Sequence, residues 1–274
     1  MKKYKIVASD LDGTLFDSKS QLSEENINAI EELAKRDVYF VPSTGRGFSE
    51  LPKALKDNAN IRYLICSNGA VVFDKKTSNS IKACISQELS NQVLGLLNSY
   101  ETHLSIRHNG GLFVDSGIYT DEQFTYYNFP LVHSKVLREY GQFIDDFKNV
   151  IYSFDDIEVI SAFFRSNDDR MECKKVLEKN KSLIVVEGCD YNLEIFSASA
   201  GKGSALHALA DMLGVDYADT ISIGDSDNDT SSIKAAGLGL AVSNACDSLK
   251  EIADELICSN DEHAVEYVLN NYIK

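Results

Sequence analysis

Apolar residues along the chain gather in short runs separated by stretches with a helical repeat, most regularly near the two ends. Tyr4 to Ser9 is a largely apolar run that stops abruptly at Asp10, the pattern of a buried strand. Ser23 followed by Glu24, Glu25 and Asn26 reads as a helix cap with an acidic first turn. Ile27, Ile30, Leu33 and Ala34 supply the apolar face of that helix. Val38 to Pro42 predicts a second strand, ending in the turn Thr44-Gly45-Arg46. Tyr63 to Cys66 predicts a third, running into Ser67-Asn68-Gly69-Ala70. Strands and helices alternating in this way imply a parallel sheet with crossover helices.

The rhythm changes after about Ile81. Gln87 to Tyr100 reads as a helix, Leu104 to Val114 as extended chain, and Tyr119 to Phe129 as an aromatic-rich stretch. Val159 to Arg165 and Leu183 to Val186 read as strands, with a helix over Asp168 to Lys179 between them. From Gly203 the first rhythm resumes, with a helix to Leu213, strand Thr220 to Ile223, a polar turn, a helix and Gly239 to Val242. The expectation is an α/β protein with a doubly wound, Rossmann-like parallel-sheet core formed by residues 1–82 and 189–274. An α+β domain, residues 83–188, interrupts it.

Composition narrows the partners. Across 274 residues the formal net charge is -15 and the pI is near 4.7, which argues against nucleic acid or an anionic membrane surface. A phosphate ligand would therefore need a local cation or a metal ion. No apolar run has the length of a signal peptide's core or a membrane span. The six cysteines are scattered without a C-x-x-C pair, so reduced thiols and a cytoplasmic location are expected.

Two acidic clusters each follow an apolar strand: Asp10-Leu11-Asp12-Gly13-Thr14 and Gly224-Asp225-Ser226-Asp227-Asn228-Asp229. A doubly wound sheet collects ligands at the carboxyl ends of its strands, so clusters far apart in sequence can meet there. Either alone could be a solvated turn. Neither is a calcium loop: Thr230 and Leu15 stand where glycine is needed, and Ala236 and Gln21 where glutamate is. Gly201-Lys202-Gly203 is not a Walker loop, and Gly237 and Gly239 complete no dinucleotide fingerprint.

Asp10, Asp12 and Asp225 together would repel one another, and a divalent cation with hard oxygen ligands, Mg²⁺, is the natural neutraliser. A metal there lets an anionic carboxylate approach an anionic phosphate. Asp10 could then attack phosphorus and form an aspartyl-phosphate. Asp12, two residues on, falls on the same side and could protonate the leaving alkoxide and later deprotonate water. Thr44 offers a hydroxyl and a backbone N–H to a phosphate oxygen, and Lys202 the local cation.

These residues, in this order, resemble the haloacid dehalogenase superfamily of phosphatases, in particular its Cof-like branch with a type IIB cap. Asp10-Leu11-Asp12-Gly13-Thr14-Leu15 is similar to the family's first motif, with Asp10 as nucleophile and Asp12 as acid/base. The resemblance implies that the carbonyl oxygen of Asp12 also touches Mg²⁺. Thr44-Gly45-Arg46 matches the second motif, placing Thr44 and Gly45 at the phosphate; Lys202 matches the third and Asp225 the metal ligand of the fourth. Asn228 and Asp229 correspond to a pair that supports the metal, its waters and Lys202, and Asn68-Gly69-Ala70 is a further element of the branch. Gly201, Ser232-Ile233 and Ser243-Asn244 depart from the branch's habits without touching the proposed chemistry. Only thirty positions separate Thr14 from Thr44, so a cap must lie between Thr44 and Lys202.

A small phosphorylated metabolite is the expected partner, with sugar phosphates ahead of nucleotide or cofactor phosphates. Residues 83–188 hold ten Lys/Arg against sixteen Asp/Glu, so the cap has no broad basic surface. Arg107, His108, Asn109, Tyr126 and Tyr127 are cap positions to compare with a plain core role, and Arg46 and Asn68 are the better candidates for substrate contacts. A phosphosugar mutase and a non-catalytic phosphate-binding protein are the alternatives. P-type ATPase chemistry is disfavoured because Asp12 stands where those proteins carry lysine.

Overall fold

The structure, a computed structural model, describes residues 4–117 and 120–274. Its first strands are β1 (Ile6–Ser9), β2 (Tyr39–Pro42), β3 (Tyr63–Cys66), β4 (Val71–Asp74) and β5 (Asn79–Lys82). The middle of the chain forms β6 (Thr102–His108), β7 (Gly111–Asp115), β8 (Gly141–Ile144), β9 (Ile157–Phe164), β10 (Leu183–Val186) and β11 (Asn192–Ser197). The last are β12 (Thr220–Gly224), β13 (Leu238–Val242) and β14 (Glu255–Ile257). Two compact units result. One comprises Met1–Arg46, Pro52–Ile81 and Gly201–Lys274, and the other Gly47–Leu51 and Lys82–Ala200.

The first unit is built on a five-stranded parallel sheet in the order β14-β13-β12-β1-β2. The chain runs outward from β1 through β2 and later outward on the other side through β12, β13 and β14. Strand order therefore reverses between β1 and β12, and a crevice opens at their carboxyl ends. Ile6, Ala8 and Val41 point to one face and bury Ala205, Leu206, Leu209 and Ala210 of helix Lys202–Leu213. Val7 and Phe40 point the other way and are equally buried, on the side where helix Glu24–Lys35 meets β2 and helix Ala264–Tyr272. β3 departs from expectation: a single bridge, Ser43 to Ile65, joins it in parallel to the end of β2, and it otherwise pairs antiparallel with β4.

Ser23 caps helix Glu24–Lys35 as expected, accepting from the Asn26 N–H. The buried stripe is shifted from the expected one. Ile27 is exposed, and Asn26 is buried with both ends of its amide engaged. Its Nδ2 donates to the Leu15 carbonyl, and its Oδ1 accepts from the Val265 and Glu266 N–H groups. Apolar periodicity cannot foresee a polar residue whose partners come from two distant segments.

The second unit is a six-stranded sheet in the order β10-β11-β9-β6-β7-β8, antiparallel except between β7 and β8. Leu104, Ile106, Ile160, Ala162 and Ile195 pack on Val93, Leu94 and Leu97 of helix Gln87–Leu97 and on Cys173 and Leu177 of helix Asn167–Leu177. The expected single extended stretch 104–114 is a hairpin. Asn109 (φ 46°) and Gly110 (φ 73°) form its two-residue turn, with both central residues left-handed. The expected boundary at residue 188 falls too early. β11 pairs with β9 and β10, so this unit continues to Ala200. Tyr119 of the aromatic stretch lies outside the described residues, Asp121–Tyr126 forms a short helix, and Phe124 enters a small core with Leu112, Val114 and Leu137. Among the described residues, no helix is long and apolar enough to cross a membrane.

Candidate active site

Asp10 directly follows β1 and Asp225 directly follows β12, and the Asp10 N–H donates to the Ile223 carbonyl at 3.0 Å. The two acidic clusters thus lie side by side in the crevice where strand order reverses. Gly13 has φ 82°, which glycine adopts without cost. A Cβ there would come within 2.6 Å of Asp225 Oδ2. Thr14 Oγ1 donates to Asp225 Oδ1 at 3.1 Å, tying the clusters together. Asn244 Nδ2 donates to the Gly13 carbonyl at 2.8 Å and holds the loop from outside.

Lys202 opens its helix with an ammonium that is 1% exposed. It donates to Asp10 Oδ1 and to Asp229 Oδ1, both at 2.6 Å. The other oxygen of Asp229 accepts from the Asp225 and Ser226 N–H groups at 3.1 and 3.2 Å. Asp229 therefore serves as a scaffold between lysine and loop. Burial opposes the charge of Lys202, yet the carboxylates of Asp10 and Asp229 outweigh it and hold the ammonium above the usual lysine range. Three acids share that one cation. Burial, with Asp229 and Asp225 adding to it against the pull of Lys202, lifts the Asp10 carboxyl to about 8. Burial and then Asp229 also raise Asp225.

Asp10, Asp225 and Asp229 can each place one oxygen within 4.8 Å of the others. An all-oxygen donor set, buried at Asp10 and Asp229 and partly buried at Asp225, with this excess of negative charge fits a hard divalent cation such as Mg²⁺. The structure does not bring the Asn228 amide into this group: the side chain is exposed and its Oδ1 accepts from Ser226 Oγ at 2.8 Å.

β2 delivers Thr44 beside Asp10, since the Ser43 N–H donates to the Ser9 carbonyl at 2.8 Å. Thr44 corrects one expectation. Its N–H donates to the Ile65 carbonyl at 2.9 Å, and only its hydroxyl faces the turn, accepting from the Arg46 N–H at 3.1 Å. Arg46 grips Asp12 through two bonds of 2.8 and 2.7 Å, a bidentate pair on a half-exposed carboxylate. The turn after β3 is laced to the same segment. Ser67 N–H donates to the Arg46 carbonyl and Asn68 N–H to the Thr44 carbonyl. On its other side Gly69, at φ 87°, would place a Cβ only 2.2 Å from the Gly201 carbonyl and 2.8 Å from the Lys202 nitrogen.

In the second unit, Arg107 is not a free cation. Glu50, from the segment just after Arg46, takes its guanidinium at 2.6 and 3.0 Å, and both side chains are largely buried. His108 stacks on Phe154, Asn109 sits in the hairpin turn, and the Tyr126 hydroxyl donates to Glu101. Tyr127 packs edge-on against His103. The bonds made by Thr14, Glu50 and Asn244 are not legible in the sequence, because each partner lies more than fifty residues away.

Residues 7–269 match the haloacid dehalogenase-like hydrolase family. The Bacillus subtilis (strain 168) phosphatase YwpJ is 30% identical over 294 residues, covering 98% of this chain and 100% of the relative. The 5-amino-6-(5-phospho-D-ribitylamino)uracil phosphatase YcsE of the same strain is 29% identical over 273 residues, covering 98% and 96%. Among solved structures, a haloacid dehalogenase-like hydrolase from B. subtilis superposes with a TM-score of 0.80 at 27% identity, covering 98% of this chain and 100% of that one. A subclass IIB sugar phosphatase shares the fold, with a TM-score of 0.78 at 17% identity and 98% coverage of each chain.

Proposed function

This chain belongs to the haloacid dehalogenase-like hydrolases as a phosphatase of their Cof-like branch, and from that premise we propose that it is a Mg²⁺-dependent enzyme acting on small phosphorylated metabolites through a phospho-Asp10 intermediate. The observation that carries this reading is the buried ammonium of Lys202, held at 2.6 Å by both Asp10 and Asp229 with Asp225 alongside. Asp10, Asp225 and the main-chain carbonyl of Asp12 would hold the metal. When bound, it supplies positive charge that offsets the acids and the phosphate.

The chain's own groups account for the rest. A carboxylate oxygen of Asp10 attacks phosphorus as the bond to the leaving oxygen breaks. Protonated Asp12 gives its proton to that oxygen. Asp12, now a carboxylate, takes a proton from water, whose oxygen attacks phosphorus and breaks the bond to Asp10. Phosphate leaves with Asp10 restored. Arg46, bidentate on Asp12, fixes the orientation of the carboxyl that carries the proton in both steps. Lys202 and the Thr44 hydroxyl face charge that grows on the transferring group.

Sugar phosphates are favoured as substrates, ahead of nucleotide and cofactor phosphates, because the net charge of -15 over the chain opposes polyanionic leaving groups. The test is phosphate release over a panel of phosphorylated metabolites with Mg²⁺, run beside Asp10→Asn. The variant keeps the volume and loses the nucleophile, so turnover should fall at least ~10³-fold with an unchanged melting temperature. Near-wild-type turnover by Asp10→Asn would refute the covalent route.

A further inference from the structure

Asn68 carries an amide that nothing in the fold explains. The residue is 8% exposed, and its Oδ1 is fully buried without a hydrogen-bond partner. Its backbone is left-handed, at φ 54° and ψ 32°. A turn that needs this conformation is served better by glycine, so the backbone accounts for a small residue and not for a buried amide. Buried polar side-chain atoms without a partner are rare in folded proteins, and each asks for the group that completes it.

Its place in the crevice points to that group. Asn68 follows β3 as Thr44 follows β2 and Asp10 follows β1, so all three stand at carboxyl ends of neighbouring strands. The amide lies on Gly45, where a Cβ would meet Asn68 Oδ1 at 3.0 Å. A residue larger than glycine at 45 would therefore press on the amide. The orphan atom is an acceptor. A phosphate dianion has only acceptors to offer it, whereas an alcohol hydroxyl donates. The phosphate is already provided for by Lys202 and the Thr44 hydroxyl.

We infer that Asn68 is a specificity-determining residue whose Oδ1 accepts a hydrogen bond from a hydroxyl of the substrate's alcohol portion, selecting phosphorylated polyols over simple alkyl phosphates. The inference rests on the phosphatase reading and deepens it. A polar group left unpaired on the protein when the hydroxyl is missing is the kind of feature that gives strong discrimination.

The matched probes are glycerol 1-phosphate and propyl phosphate, which share a three-carbon chain and differ in hydroxyls. Wild type should prefer glycerol 1-phosphate in kcat/KM. Asn68→Gly, which removes the amide and relaxes the backbone, should lose about ten- to a hundredfold on glycerol 1-phosphate and less than about threefold on propyl phosphate. Asn68→Asp keeps the acceptor and should retain most of the preference. Equal losses on both esters, or a wild type indifferent to the hydroxyls, would overturn the assignment. So would an Asn68→Asp variant that fails alike on both, because the amide N–H would then be serving the phosphate. Calorimetric binding of both esters to Asp10→Asn, with and without Asn68→Gly, separates the two levels. If wild type hydrolyses neither ester, the hydroxyl preference in binding still decides the role of Asn68, and the covalent route is judged on the wider metabolite panel.

Discussion

At the scale of single residues, the crevice is governed by one shortage, a single buried ammonium among three buried or half-buried acids. Taking charges out of water is costly unless each is paired, and Lys202 cannot pair all three. That imbalance makes the site receptive to a divalent cation. Asp12 stands apart, exposed enough to reach a substrate and steered by Arg46. Its proposed acid role makes a prediction that depends on the leaving group. Asp12→Ala should lose ~10²–10⁴-fold on an alkyl phosphate, whose departing alkoxide needs a proton. On an aryl phosphate such as p-nitrophenyl phosphate the loss should be far smaller. Paired kcat/KM measurements on both esters decide it, and equal losses would assign Asp12 to metal binding or structure alone.

At the scale of elements, short turns do the positioning and ion pairs hold the strands that carry them. The turn Ser67–Gly69 is wedged between Thr44–Arg46 and the start of the Lys202 helix, so β3 and β4, which flank it, set its place. These two strands are tied by Arg62, which donates to both oxygens of Asp74 at 3.1 and 2.9 Å. The guanidinium, helped by the Lys76 N–H, lowers the Asp74 carboxyl to about 2 from its ordinary 3.8. A carboxyl depressed in the folded state stabilises the fold above its unfolded pKa and ceases to do so as pH falls through the folded one. The shift corresponds to about 2 kcal/mol at most, and the one-third exposure of Arg62 reduces it to on the order of 1 kcal/mol. Wild type should therefore exceed Asp74→Asn in stability at pH 5. The gap should close between pH 4 and pH 2, as followed by denaturant melts at each pH. A gap constant down to pH 2 would show that the charge of Asp74 does not matter.

At the scale of the molecule, the proposed chemistry belongs to one unit. Asp10, Thr44, Asn68, Lys202 and Asp225 all lie in Met1–Arg46, Pro52–Ile81 and Gly201–Lys274, although the chain spends 124 residues, Gly47–Leu51 and Lys82–Ala200, on the other. Chelation should therefore act on the first unit. EDTA should silence turnover, Mg²⁺ should restore it, and Ca²⁺ should leave it low. Ca²⁺ accepts bidentate carboxylates and would draw both oxygens of Asp10 into coordination, whereas Mg²⁺ demands compact octahedral geometry. Because the metal binds only the folded site, Mg²⁺ should also raise the melting temperature of wild type and raise it less for Asp225→Asn. Full activity after complete chelation would remove the central role of the acidic cluster. Equal activity with Ca²⁺ would refute the geometric argument and spare the phosphatase.

The sequence alone determined the parallel-sheet core and its acidic clusters, because both rest on local signals. Buried strands read as apolar runs, and Asp10 and Asp225 each follow one directly. The Ser23 cap was legible for the same reason, whereas Thr44 and Lys202 stand out only through their order with the two Asp clusters. Long-range partners were not legible. The shift of the stripe on helix Glu24–Lys35 from Ile27 to Asn26 depends on Leu15 and on residues 265–266. The assignment of β11 to the second unit depends on pairing with β9, thirty residues earlier. The Thr44 N–H is lost to Ile65 and Arg107 to Glu50. Each is a donor or acceptor satisfied by a group that a linear pattern does not bring near. Tertiary structure decides those pairings because a buried polar group must find a partner wherever the fold supplies one.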